Sequence, residues 1–200
     1  MKDDLFVSDD AATPLTEDEK QDLIPAFITF RHELNAVEQN NILEAQQWVF
    51  RGAFRRKQKD VLDEKFLREL HKRMFNKVWK WAGCFRKSPR NVGVEHWKIP
   101  VELRTLLQDV NFWIEHKTYL PDEIAARFHH RLVWIHPFPN GNGRHARLAT
   151  ELLLNQLGQP RFTWGSTGLV AISEARQAYV SALRDADQGN LSALLAFVRT

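Results

Sequence analysis

Cysteine is nearly absent: Cys84 is the single one among 200 residues. That excludes an intrachain disulfide and a cysteine-rich metal centre, and it suits a reducing compartment. Long apolar runs are also missing, and none approaches the roughly 18 to 20 residues of a membrane span. The charged start Met1-Lys2-Asp3-Asp4 does not read as a secretory leader. A cytoplasmic protein with no membrane partner is the resulting expectation. Charge of one sign is scarce as well, since the net charge is only +3. The densest basic run, Arg55-Arg56-Lys57-Gln58-Lys59, reads as a solvated loop, so nucleic acid is not the expected partner. No internal repeat and no low-complexity block interrupts the chain.

What is present is bulky core material. Hydrophobic residues make up 44%, with 13 Phe and 7 Trp, enough for one folded globular core. Residues 1–15 are polar and acidic and are expected to form a mobile tail. Thr16-Glu17-Asp18-Glu19 reads as a capping box opening a short helix, which Pro25 disrupts. A long helix is predicted over 29–51, with Leu34, Val37, Leu43, Trp48 and Val49 buried. Leu62, Phe66, Leu70 and Met74 recur at helical spacing and predict a helix over 60–75. Gly83, Pro89, Asn91 and Gly93 then break the pattern, and a β-hairpin or extended flap is predicted within 82–99. Further helices are predicted over 100–117, 121–134, 143–157, 173–186 and 190–198, the first two of them opening on a proline (Pro100, Pro121) suited to a first turn. Trp79, Trp81, Trp97, Trp113 and Trp134 are expected to pack in the core or flap. The predicted class is all-α with a small β-hairpin flap.

The chemistry concentrates in His136-Pro137-Phe138-Pro139-Asn140-Gly141-Asn142-Gly143-Arg144-His145-Ala146-Arg147. Gly141 and Gly143 permit backbone conformations closed to other residues, and Asn142 tolerates the left-handed region. Successive amides there can form an anion nest, reinforced by the positive end of the helix that follows. Arg144 and Arg147 stand three places apart on one helical face, and helical side chains lean toward the N-terminus. Both guanidinium groups can therefore reach back over the nest to a di- or triphosphate. His136, after the apolar Leu132-Val133-Trp134-Ile135, can accept a proton from an attacking hydroxyl. Phe138 is expected to plug into the core. His129 and His130 are adjacent, so they face different ways and cannot share a metal with His136. Tyr179 borders either an adenine pocket or the core.

Residues 136–147 resemble the motif of the Fic (Fido) family, His-x-Phe-x-Asp/Glu-Gly-Asn-Gly-Arg-x-x-Arg, at every defined position but Asn140. The likeness continues in Leu70-His71, in Trp79-Lys80-Trp81-Ala82-Gly83-Cys84-Phe85-Arg86, and in Arg176-Gln177-Ala178-Tyr179 through Asp187-Gln188-Gly189-Asn190. Thr13-Pro14-Leu15 and Glu38-Gln39-Asn40-Asn41-Ile42-Leu43-Glu44-Ala45 are similar to the bacterial subgroup called mobile mystery protein B.

The resemblance implies a Fic-type catalytic domain over 60–200, preceded by a tail and helical extension over 1–59. It implies transfer of AMP from ATP to a hydroxyl side chain of a target protein. His136 would be the base, Gly141, Asn142 and Gly143 would cradle the α- and β-phosphates, Arg144 would reach the β-phosphate region, and Arg147 would hold the γ-phosphate. Arg90, Asn91, Val92 and Gly93 would clamp the target. Asn140 stands where the family has an acid that holds Mg²⁺, and an amide oxygen brings no charge. Other transfers on the same fold (phosphoryl, another nucleotidyl, phosphocholine) stay open, as does a non-catalytic nucleotide-binding module. Many members carry an inhibitory helix with Ser/Thr-x-x-x-Glu-Gly/Asn. Thr29-Phe30-Arg31-His32-Glu33 matches its first part, which implies a Glu33–Arg147 pair; a helix cap with a solvated glutamate is the reading the residues favour. Without that pair, an antitoxin-like partner becomes the expected restraint.

Overall fold

A computed structural model describes residues 16–50, 60–166 and 172–200. The basic run 55–59 and the segment 1–15 lie outside the described residues. The helices are α1 (Glu17–Gln21), α2 (Arg31–Trp48), α3 (Glu64–Phe75), α4 (Ile99–Glu115), α5 (Pro121–Ile135), α6 (Asn142–Gln156), α7 (Ile172–Asp187) and α8 (Ser192–Val198). Each predicted helix is present, with ends shifted by up to four residues.

Local chemistry sets several of those ends. Thr16 and Glu19 form the predicted capping box of α1. Asp63 caps α3 by accepting from the Lys65 amide at 2.6 Å. Pro121 opens α5, and α5 ends where His136 adopts left-handed backbone angles, φ 53° and ψ 60°.

One core gathers Leu34, Ile42 and Ala45 of α2 with Phe66, Leu70 and Met74 of α3, Leu103 and Leu106 of α4, Phe128 and Leu132 of α5, and Leu148 and Leu152 of α6. A smaller cluster joins Ala125, Leu154, Phe162, Ala182, Leu194 and Val198, tying α7 and α8 to the outer side of α5 and α6. Helix α2 thus shares its core with the helices that follow it. None of the described helices is long and apolar enough to cross a membrane.

Three expectations need correction. The inward face of α2 is Leu34, Glu38, Asn41, Ile42 and Ala45, whereas Leu43 is 45% exposed. Periodicity of apolar residues missed this face because two of its members are polar. Asn41 is buried by satisfying backbone: it donates to the Arg73 carbonyl at 2.9 Å and accepts from the Lys77 amide at 3.0 Å. Trp97, expected to be packed, is 64% exposed.

The flap is the third correction. Residues 82–98 form turns and bends closing in a 3-10 turn, His96–Lys98, and contain no strand. The reason lies in Arg86, only 2% exposed. Its guanidinium donates to the carbonyls of Ser88 and Val94 within the flap and of His136 beyond it. A side chain occupies the carbonyls that a cross-strand ladder would have used.

Candidate active site

The motif loop joins the end of α5 to the start of α6. His136 stays in its left-handed conformation because neighbours hold both sides of the turn, a local strain that costs of order 1–3 kcal/mol. Arg86 Nε donates to the His136 carbonyl at 2.7 Å, and the Arg86 amide donates to the Pro137 carbonyl at 2.9 Å. Phe138 is buried as expected. Asn142 closes the loop with its side chain, accepting from the Phe138 amide at 2.9 Å and donating to the Phe138 carbonyl at 2.8 Å. Its contribution to an anion is therefore its backbone amide, not its carboxamide.

The two glycines differ in their reasons. Gly141 has φ +77°, and a Cβ there would lie 2.5 Å from Phe75 Cζ. Gly143 is helical with nothing within 4 Å of a Cβ, so the first turn of α6 faces open space. The left-handed geometry expected of the loop thus belongs to Gly141, while Gly143 leaves room for a ligand against the helix N-terminus.

The His136 ring donates to the Val133 carbonyl, so in the neutral ring the second nitrogen carries the lone pair. Burial, reinforced by Arg86 and Arg90, lowers its pKa to about 4. It is neutral at physiological pH, as a proton acceptor must be. Gly93 of the flap lies directly over it: a Cβ on Gly93 would come within 2.5 Å of His136 Cβ. Asn91 and Val92 stand exposed beside it. Arg90 does not join them, because its side chain is 4% exposed and ion-paired with Glu19 of α1.

The arginines take separate partners. Arg144 lies over the Phe75 ring and donates to Glu38 Oε2 at 2.6 Å. Arg147 lies over the rings of Tyr179, at 4.6 Å, and Trp164, at 5.6 Å. Glu33 reaches neither arginine. It accepts from the amides of Thr29 and Phe30 at 2.9 and 3.0 Å, and the Thr29 amide is the leading reason its pKa is lowered. That is the cap with a solvated glutamate. The carboxylate that does take a motif arginine is Glu38, 5% exposed and also accepting from Trp79 Nε1 at 2.7 Å. Sequence reasoning missed it, although a glutamate in phase with Leu34 and Ala45 was the available signal.

Asn140 Oδ1 accepts from the Gly141 amide at 2.6 Å. The amide oxygen proposed for Mg²⁺ thus already turns inward onto its own loop, and no cluster of three acidic, His or Cys ligands occurs among the described residues. Asn140 does not fit the role of a metal anchor. His71 was missed too. It is fully buried, accepts from the Gly83 amide at 3.0 Å, and therefore donates through Nε2 to the Asn140 carbonyl at 3.0 Å.

His71, His129, His136 and His145 all titrate below the usual histidine value, chiefly because burial disfavours the charged ring. In the unfolded chain they protonate near 6.5, so below that pH the unfolded state binds more protons. Stability is full above pH 6.5 and declines as pH falls toward the folded-state values, about 4 for His136 and His145. Thermal melts taken from about pH 7 down to about pH 5 should show a falling Tm; an unchanged Tm would contradict this.

A helix N-terminus that faces open space and a neutral histidine therefore meet in one loop of an all-helical scaffold. Residues 61–154 match the model of the Fic/DOC family, and the chain belongs to that family. It is similar to the protein adenylyltransferase Fic of Drosophila virilis, 33% identical over 144 residues, which is 70% of this chain and 27% of that protein. The same-named protein of Aedes aegypti is 30% identical over 143 residues, again 70% of this chain and 27% of the relative. The chain thus spans 27% of the length of these curated relatives. Among solved structures, a Fic-1 fragment from C. elegans superposes with a TM-score of 0.69 at 24% identity, covering 90% of this chain and 51% of that one. BepC of Bartonella tribocorum, solved with bound AMPPNP, gives 0.67 at 20% identity, covering 92% and 97%. These two likenesses establish the fold.

Proposed function

We propose that the chain is a protein adenylyltransferase that moves AMP from ATP to a hydroxyl side chain of a target protein. The observation that carries the reading is the neutral His136 ring beside the open first turn of α6, flanked by Arg144 and Arg147. The target hydroxyl attacks the α-phosphorus of ATP, its proton passes to His136, and the bond to the β-phosphate oxygen breaks to release pyrophosphate. The amides of Asn142 and Gly143 and the dipole of α6 stabilise charge on the phosphates. Phosphate charge brought next to His136 raises its pKa and so improves it as a base. Asn91, Val92 and Gly93 offer exposed backbone along which an extended target segment can lie. Mg²⁺ accompanying ATP would be held by phosphate oxygens and water, because Asn140 Oδ1 serves the loop.

Intact-mass measurement after incubation with ATP, UTP or CDP-choline tests the reading. An AMP adduct on the chain or its target supports it; a phosphocholine or UMP adduct assigns another transfer. Nucleotide binding with no adduct and no response to His136→Ala makes the chain a binding module.

Restraint belongs to the same proposal. Glu38 neutralises charge on Arg144 that a phosphate would draw on, so Glu38 competes with the nucleotide. This internal carboxylate takes the restraining role that was expected of a Glu33–Arg147 pair. Glu38→Gln keeps an acceptor for Trp79 and removes the charge. A charge-assisted hydrogen bond contributes about 1.5–3 kcal/mol, so ATP affinity should rise on the order of 10-fold, with more automodification. Calorimetry showing equal affinity in both proteins would remove Glu38 from regulation.

A further inference from the structure

Arg147 is held by more than aromatic rings. Its guanidinium bonds to the Tyr179 hydroxyl, which stands 2.8 Å from His129 Nε2. His129 is fully buried. Its Nδ1 faces Thr150 Oγ1 at 3.4 Å and the Ala146 carbonyl, and the Thr150 hydroxyl itself donates to that carbonyl at 2.7 Å. Both groups facing Nδ1 are acceptors, since the Thr150 proton is already engaged. Nδ1 therefore carries the ring proton, and Nε2 carries the lone pair. Tyr179 must then donate to Nε2, which turns the phenolic lone pairs toward Arg147. With the opposite tautomer, Nε2–H would occupy the phenol oxygen and push its proton against a guanidinium N–H. The relay has one direction: Arg147 to Tyr179, Tyr179 to His129, His129 to the backbone of α6.

We propose that Tyr179 and His129 are positioning residues that aim Arg147 at the terminal phosphate of the nucleotide, through this oriented hydrogen-bond chain. The inference rests on the functional reading above and extends it: helix α7, which enters through Tyr179, sets the preference for a triphosphate over a diphosphate. Burial and the nearby Arg147 keep His129 neutral, which the chain requires. Arg147 Nε is buried without a hydrogen-bond partner among the described residues, leaving a donor for an arriving anion.

The test is Tyr179→Phe. It keeps the ring that packs at 5.7 Å from Phe197 and under Arg147, and removes only the hydroxyl. ATP and ADP affinities are measured by calorimetry, with KM and kcat for AMP transfer alongside. The expected result is about a 10-fold loss of ATP affinity and a matching rise in KM, with ADP affinity and kcat held within about twofold. His129→Gln offers an amide oxygen that can accept from Tyr179 and should keep the ATP preference, whereas His129→Leu should lose it. This rescue separates orientation from packing, since both replacements change the core. A wild-type protein that forms the AMP adduct while Tyr179→Phe keeps the full ATP preference overturns the inference and leaves the functional reading standing. A wild-type protein with neither adduct nor preference for ATP over ADP overturns both.

Discussion

His136→Ala should reduce AMP transfer by about 10²–10⁴-fold while leaving ATP affinity nearly unchanged. The split follows from where the ring sits. His136 caps α5 and is not part of the α6 turn proposed to grip phosphates, and its donor nitrogen is engaged by the Val133 carbonyl. Removing it deletes the proton acceptor but none of the anion contacts. The backbone should hold, because Arg86 grips the carbonyl of residue 136 whatever its side chain. Single-turnover transfer with radiolabelled ATP, paired with calorimetric binding, checks both halves. Undiminished transfer would mean that another group takes the proton, and the mechanism would fall.

Arg86→Met should be the most damaging substitution for the fold. Arg86 donates to three carbonyls, those of Ser88, Val94 and His136, from a position 2% exposed. Met fills comparable volume but leaves buried acceptors without donors, and each such group costs about 1–3 kcal/mol. A total loss of about 3–5 kcal/mol is expected, less than the simple sum because the flap can open to water. Chemical denaturation gives the number. Where the protein remains folded, transfer should fall as well, since Gly93 and the His136 turn lose their common tie. A loss under about 1 kcal/mol would show that water already satisfies these carbonyls.

Such residues explain which parts of the site were legible in the sequence. The motif could be read because its chemistry is local: His136, Gly141 and Arg147 are joined by one loop and one helical turn, where spacing alone sets geometry. The helices were legible for the same reason, through periodic leucines and caps such as Asp63 and Thr16. Glu38 was not, because its meaning depends on Arg144, 106 residues away. Tyr179 lies 50 residues beyond His129, and only the packing of α7 against α5 makes them partners. The hairpin failed because alternation cannot report that an arginine will take the carbonyls. Glu33 is the local case: its spacing from Thr29 suits both a distant ion pair and a cap, and the cap, which the residues favoured, is what forms.

Helix α1 has a consequence of this long-range kind. Glu19 closes the capping box that starts this five-residue helix and is also the carboxylate that grips Arg90. One side chain therefore belongs to two equilibria, the winding of α1 and the posture of the flap. Linkage makes the traffic between them mutual. A ligand that pulls Arg90 outward loosens the first turn of α1, and anything that frays that turn releases Arg90 in equal measure of free energy. The amide of Thr16, which Glu19 also holds, is in this way coupled to the flap through a single carboxylate.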